Sequence, residues 1–559
     1  MTEQEQTKVL LKGTAILAAA ALISKVLGVV YRIPYQNITG DLGLYVFQQV
    51  YPLYSLLLIV ATAGFPIAVS KLVAERIALG DHNGAKRVFR VSAVALSLTG
   101  LVTFLAMYAG APYIASWMED DGLILPLRSV SFALLIVPFM AAIRGYFQGH
   151  QNMVPTAISQ VIEQIIRVIT IIALSYWFMA NQYDEYYAGA GAVFGAFTGA
   201  AAALIFLLLL WRRVQAKHNK QPQKATPTTE ESHGDEDQSS APETFTQETV
   251  VQLIKRILYL AIPICLGAMV LPLFQIVDAM TVVKVLNHTG IEPIDSRNLK
   301  GVFDRGQPLV QFAAFFATAL SLALVPSISE AYAKNNHKLI AVRSEMALRL
   351  TLFLGLAASF GLAVLAGPVN IMLYKTGDGT ITLAVLAFTT MFSTLGIASG
   401  AVLQGLGRVI LPARNLLAGV VVKTILNVAL IPIWGITGAA LATVLAYGVA
   451  TILNLVALHK ITKLQLSFKV FFAKPFTAVI AMAVLVWLTM EGLLFALSGV
   501  ITHERIYFAI VALSSVAVGV VTYALGLLKF GAVTKEELQS VPKVNRFVPL
   551  LDKFKFFKS

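Results

Sequence analysis

Apolar residues run in fourteen long stretches, at roughly 10–33, 44–69, 88–110, 123–143, 155–179, 187–211, 253–283, 307–329, 347–373, 380–402, 411–432, 436–458, 473–497 and 504–528. About 20 apolar residues suffice for a helix to cross the hydrocarbon of a bilayer, where a lipid-exposed backbone has to close its own hydrogen bonds. Each stretch therefore predicts a membrane-spanning helix, and together they predict an all-α integral membrane protein. Prolines inside the stretches, such as Pro66, Pro263, Pro272 and Pro326, are tolerated where neighbouring helices or cavity water satisfy the freed carbonyls.

The second seven stretches partly repeat the first seven at an offset of about 256 residues. Gln148, Gly149 and Arg167 correspond to Gln404, Gly405 and Lys423, Pro52-Leu53 to Pro308-Leu309, and Gly110-Ala-Pro112 to Ala366-Gly-Pro368. Helical membrane proteins with two related halves are typically transporters that bind substrate between the halves. The one long polar interruption, centred on Gln221–Ser240, lacks large apolar residues and reads as a disordered linker between the halves. The expected organisation is a first bundle over 1–211, a linker over 212–250, a second bundle over 251–460, two further helices over 461–530 and a basic tail over 531–559. Gly191, Gly195 and Gly199 in the sixth stretch have the four-residue spacing that lets helix backbones approach closely in lipid.

Composition agrees with a membrane protein: 57% of the residues are hydrophobic, 13% are charged, and the mean hydropathy is +0.74. The net charge of +13 orients the chain rather than pointing to nucleic acid. With the N-terminus placed in the cytoplasm, 32 of the 43 Lys and Arg fall at the cytoplasmic side, six in outer loops and five inside the spans. That asymmetry predicts both termini in the cytoplasm. Cys265 is the sole cysteine, so no intrachain disulfide can form. No GxxxxGK[ST] phosphate loop is present, which argues against ATP-driven transport by this chain alone. The eight histidines all lie outside the spans, which argues against an intramembrane metal site or histidine relay.

Charges inside the spans carry the chemistry, because a charge near the bilayer centre costs at least about 2.5 kcal/mol unless it is paired or faces a cavity. Lys25 and Arg32 lie two turns apart on one face of the first helix, and Arg167 and Lys423 sit mid-span at repeat-related positions. Glu163, one turn before Arg167, offers a local ion pair, whereas Lys423 and Lys25 have no such neighbour. Asp278 is expected to pair with Arg32 or Arg305, or to bind a coupling cation. Cations outnumber acids, so the expected ligand is anionic.

The segment Ser24-Lys25-Val-Leu-Gly28-Val-Val-Tyr-Arg32 resembles the first helix of the MurJ-type lipid II flippases. The rest of the chain, including Phe65-Pro66-Ile-Ala-Val-Ser70-Lys71 and Val325-Pro326-Ser-Ile-Ser329-Glu330, is similar to bacterial polysaccharide-biosynthesis and stage V sporulation B proteins. These belong to the superfamily that also holds the MATE drug exporters. The resemblance implies a MATE-like fold of two bundles that rock about a central cationic cavity, which binds the diphosphate of an undecaprenyl-linked sugar. It matches Lys25 to the first-helix cation, Arg32 approximately to the second, and Arg305 to the eighth-helix arginine. The second-helix arginine of the pattern is missing, with Gln48 and Gln49 in its neighbourhood, which leaves room for a different lipid-linked glycan. The implied protein is a non-enzymatic, multi-pass flippase of the bacterial cytoplasmic membrane that functions as a monomer among membrane lipids. It needs no cofactor or nucleic-acid partner and is coupled to the membrane potential or a monovalent cation. A cation-coupled multidrug exporter is the rival expectation.

Overall fold

The computed structural model describes residues 3–62, 64–220, 248–464, 467 and 469–535, and every regular element among them is helical. The centre of the predicted linker and most of the basic tail lie outside the described residues. The first half begins with α1 (Glu3–Val30), followed by α2 (Arg32–Thr62), α3 (Phe65–Ala78) and α4 (His82–Trp117). The predicted fourth span is divided between α5 (Ile124–Ser131) and α6 (Ala133–Gly149), and α7 (Val154–Ala180) and α8 (Glu185–Lys220) complete the half. Helix α8 thus continues to Lys220, into the segment assigned to the linker.

The second half opens with α9 (Val250–His288), a short α10 (Pro293–Asp304), α11 (Gly306–Ala333) and α12 (His337–Val364). It continues through α13 (Ala366–Tyr374), α14 (Thr380–Leu386), α15 (Thr389–Gly405) and α16 (Ile410–Thr462). Helices α17 (Lys474–Leu497) and α18 (Glu504–Lys529) pack on each other and against α12 and α13, on the flank of the second half.

Among the described residues, eleven continuous helical runs are long and apolar enough to cross a membrane. Two of these, Ile16–Ala78 and Ile410–Thr462, hold two spans each. In the second, Gly435 takes φ 56°, ψ −137°, and the chain folds back so that Gly419 meets Ala446 and Leu430 meets Gly438. With α9 as the seventh span, the count reaches the fourteen of the hydrophobic pattern. Glycine also breaks α2, at Gly40 (φ 69°), and separates α2 from α3, at Gly64 (φ 76°). Only glycine adopts such angles without steric cost. Pro66 consequently falls in the first turn of α3, where its missing N–H removes no helical bond.

The repeated Gln-Gly pair has a packing reason. A Cβ at Gly149, at the end of α6, would lie 2.6 Å from the Val73 side chain and 2.9 Å from the Ser70 carbonyl of α3. A Cβ at Gly405, at the end of α15, would lie 2.8 Å from Ile328 and 3.0 Å from the Val325 carbonyl of α11. The same helix crossing is therefore built twice. The glycine ladder of α8 works likewise: Gly195 and Gly199 press on the backbone carbonyls of Arg167 and Glu163 in α7. In hydrocarbon this close packing supplies the attraction that water would otherwise provide.

That contact is testable. A Cβ at Gly199 would sit 2.4 Å from the Glu163 carbonyl, whereas nothing lies within 4 Å of one at Gly492. Gly199→Val should cost about 1–3 kcal/mol as overpacking and lower the thermal midpoint of the purified protein. Gly492→Ala should not lower the midpoint, since its methyl meets open space and alanine favours the helix. Equal midpoints for the two variants would contradict the close α7–α8 approach.

Candidate functional site

Lys25, Arg167 and Lys423 stand on the wall of one cavity of about 940 Å³ between the two halves. Helix α1 brings Ser24 and Lys25 to it, α2 brings Tyr51, and α7 brings Gln164 and Arg167. The second half contributes Gln275 and Asp278 from α9, Gln307 and Gln311 from α11, Gln404 from α15, and Lys423 and Asn454 from α16. The wall extends to Gln404, Val409 and Pro412, near the ends of α15 and α16. Five glutamines face this space, each able to donate and accept hydrogen bonds, as a ligand rich in hydroxyls requires.

The three cations are held differently. Among the described residues Lys25 has neither a hydrogen-bond nor an ion-pair partner, so its ammonium is free to meet a ligand. Arg167 donates from Nη2 to Glu163 Oε1 at 2.6 Å, the same-helix pair expected from their spacing. Glu163 is shared: Arg144 of α6 binds its Oε2 at 2.9 Å and donates from Nε to Ser159 Oγ at 3.0 Å. Two guanidiniums against one carboxylate leave this group one net positive charge. Arg144 lies just past the fourth apolar stretch, so the hydrophobic pattern alone does not bring it to this group.

Lys423 is fully neutralised. Its Nζ donates to Asp278 Oδ2 at 2.6 Å and to the Phe274 carbonyl at 3.0 Å, and lies 5.4 Å from the centre of the Phe274 ring. Asn427 donates from Nδ2 to the other carboxylate oxygen at 3.2 Å and to Thr281 Oγ1 at 2.8 Å. Asp278 was expected to pair with Arg32 or Arg305; the structure pairs it with Lys423. Helices α9 and α16 pack directly on each other, which brings a carboxylate 145 residues away in sequence onto the lysine.

Arg32 and Arg305 lie off the cavity wall. The first helix ends at Val30, so Arg32 opens α2 instead of continuing the Lys25 face, and its Nε and Nη1 are buried without a partner among the described residues. Arg305, 2% exposed, grips both carboxylate oxygens of Asp41, with Nε–Oδ1 at 2.6 Å. Tyr374 donates to the Arg305 carbonyl at 2.8 Å, Gln36 donates to Asp41 at 3.0 Å, and Lys300 pairs with Asp304 at 2.6 Å. A Cβ at Gly301 would lie 2.1 Å from the Asp41 carbonyl, so α10 is pressed against the start of α2. These residues form a seam that joins the halves next to the cavity residues Tyr31 and Gln307.

Residues 10–332 match the family described as polysaccharide biosynthesis protein, and residues 308–509 match the one described as lipid II flippase MurJ. An uncharacterized membrane protein, YabM, of Bacillus subtilis (strain 168) is 36% identical over 541 residues, covering 96% of each chain. Lipid II flippase MurJ of the same organism is 30% identical over 78% of this chain and 80% of its own. Its stage V sporulation protein B is 28% identical over 96% and 98%. Among solved structures, a lipid II flippase MurJ in an inward closed conformation superposes with a TM-score of 0.63 at 15% identity, over 92% of this chain and 98% of that one. A MATE family multidrug resistance transporter in an inward-facing conformation gives 0.60 at 15% identity, over 79% and 94%. At that identity the structural likeness speaks to the fold alone, which is MATE-like.

The shared carboxylate makes an unequal prediction. Glu163→Gln leaves Arg144 and Arg167 facing each other without a counter-charge, and breaking a buried pair this way costs about 3–5 kcal/mol. Arg144→Gln leaves the Glu163–Arg167 pair intact and should cost clearly less. Thermal midpoints of the two purified variants test the order, and the reverse order would mean that Glu163 is not the hub of the group.

Proposed function

The chain belongs to the polysaccharide biosynthesis family that includes lipid II flippase MurJ, and from that premise we propose a specific cargo and direction. It is a flippase that moves an undecaprenyl-diphosphate-linked cell-wall precursor, lipid II, from the cytoplasmic to the outer leaflet by alternating access. The observation that carries this reading is the charge of the cavity wall. Lys25 contributes one positive charge and the Arg144–Glu163–Arg167 group another, while Lys423 and Asp278 cancel. Two net positive charges suit a diphosphate, and the surrounding glutamines suit its sugars. The positive-inside asymmetry supports placing both termini and the linker in the cytoplasm, with the Arg305–Asp41 seam on the outer side.

No nucleotide site is needed for such a cycle. An anion carried outward down an inside-negative potential gains about 2.3 kcal/mol per charge per 100 mV if the charge crosses uncompensated. A drug exporter coupled to a cation would need a titratable or ion-binding acid on the cavity wall. Asp278 is the acid on that wall, and Lys423 already neutralises it. Transport of another lipid-linked glycan is the second reading. It is favoured by Gln48 and Gln49 near the expected second-helix arginine, where buried Gln49 donates to the Ala279 carbonyl instead of offering a charge.

Complementation tests the proposal. In a host depleted of its own lipid II flippase, the wild-type chain should restore growth, Lys25→Ala should fail at normal abundance, and Lys25→Arg should restore growth partly, because charge survives with altered phosphate geometry. Lipid II should accumulate in the inner leaflet when the rescuing chain is lost. Full rescue by Lys25→Ala would remove the cationic-cavity argument, and accumulation of a different lipid-linked intermediate would select the second reading. Orientation is checked separately in a Cys265→Ser background: a cysteine at Ser498 should react with an impermeant reagent in intact cells, and one at Asn335 should not.

A further inference from the structure

Lys423 is 1% exposed and Asp278 3% exposed, yet both face the transport cavity at the middle of the second half. A pair whose only task was stability would be better replaced by apolar side chains, because desolvating two charges offsets most of their attraction. The groups around the ammonium are of the kinds that also hold a monovalent cation. A carboxylate oxygen stands at 2.6 Å, a main-chain carbonyl at 3.0 Å, and an aromatic face at 5.4 Å. Asn427, entirely buried, orients the carboxylate through Nδ2, and its own Oδ1 has no partner. The repeat gives no reason for this shell. The position equivalent to Asp278 in the first half is Leu22, and the position equivalent to Glu163 in the second half is Gly419.

We infer that this cluster is a monovalent-cation site permanently occupied by the chain's own Lys423 ammonium. The tethered charge cannot leave with a gradient, so no ion binds or unbinds at Asp278 during the cycle, and the transporter is uncoupled from Na⁺ and K⁺ there. The lysine also ties α9 to α16, so that α9 moves with the second half. Removing the side chain beyond Cβ opens a space lined by Asp278, the Phe274 carbonyl and Asn427, which a small cation can enter. The inference builds on the transporter reading but is independent of which lipid is carried.

Wild type, Lys423→Ala and the double variant Lys423→Ala/Asp278→Asn, purified in detergent, are melted in NaCl, KCl and N-methyl-D-glucamine chloride at equal ionic strength. The wild-type midpoint should be the same in all three salts. Lys423→Ala should melt lower in N-methyl-D-glucamine and recover saturably in NaCl or KCl, by on the order of a few degrees. The double variant should lose that recovery. Absence of any recovery in Lys423→Ala overturns the inference. If Lys423→Ala does not fold in any salt, radioactive Na⁺ binding to wild type decides. No binding that Asp278→Asn abolishes is expected, and Asp278-dependent uptake by wild type overturns the proposal. None of these readouts involves a lipid substrate, so a failure of the lipid II reading leaves them unchanged.

Discussion

A charge inside hydrocarbon must be neutralised by the protein or face water, and the arrangement of this molecule follows from how its few intramembrane charges meet that demand. The two halves meet it differently at equivalent places. Arg167 finds its carboxylate one turn away on its own helix, whereas Lys423 takes one from a neighbouring helix. The difference begins with a single substitution across the repeat. Gly419 stands where the first half has Glu163, and there it lets Ala446 and Ala450, on the returning arm of α16 beyond Gly435, close on the first arm. With the local acid gone, Asp278 on α9 has to supply the charge. Lys25, unpaired, is left to the cavity.

Close backbone approach packs the helices around these pairings. Glycines at 195 and 199 bring α8 against the carbonyls of the very turn that carries Glu163 and Arg167. Gly301 does the same for α10 against Asp41, and so delivers Arg305 to its partner. Small residues and charges therefore act side by side: close backbone approach fixes the helix positions from which these long side chains reach their carboxylates.

The number of spans, the repeated helix crossing and the Arg167–Glu163 pair were legible in the sequence, because each is a local pattern: an apolar run, a repeated Gln-Gly, a four-residue spacing. The partners of Lys423 and Arg305 were not, since 145 and 264 residues separate them from Asp278 and Asp41. The exclusion of Arg32 from the cavity was hidden for a different reason. The apolar run passes without interruption through Tyr31, where the helix ends, so a seven-residue spacing was read as one face of one helix. Gln404 stood out through the repeated Gln-Gly pair, but the other four cavity glutamines did not, because neutral amides barely lower the hydropathy of a long span. Their signal was their recurrence at 164, 275, 307 and 311 inside otherwise apolar stretches.

The ion pairs also divide by what they join. Those at mid-depth, Arg144–Glu163–Arg167 and Lys423–Asp278, lie within one half, so they persist if the halves rotate as bodies. Those that cross between halves sit at the two faces. Arg305–Asp41 and Arg297–Asp120 lie on the seam side, and Arg76–Glu248 and Arg256–Glu75 lie near the end of the linker. Such a rotation would have to break one set and spare the other. The two sets are unequal: Arg256 and Glu75 are 44% and 36% exposed, so their pair is worth about 0–1 kcal/mol, whereas the Arg305 side chain is 2% exposed and doubly bonded. Opening the seam therefore strands a buried guanidinium unless another anion takes the place of Asp41. If the cargo is the diphosphate proposed above, it has the chemistry to do so, which would make seam opening costly for the empty protein and cheaper for the loaded one.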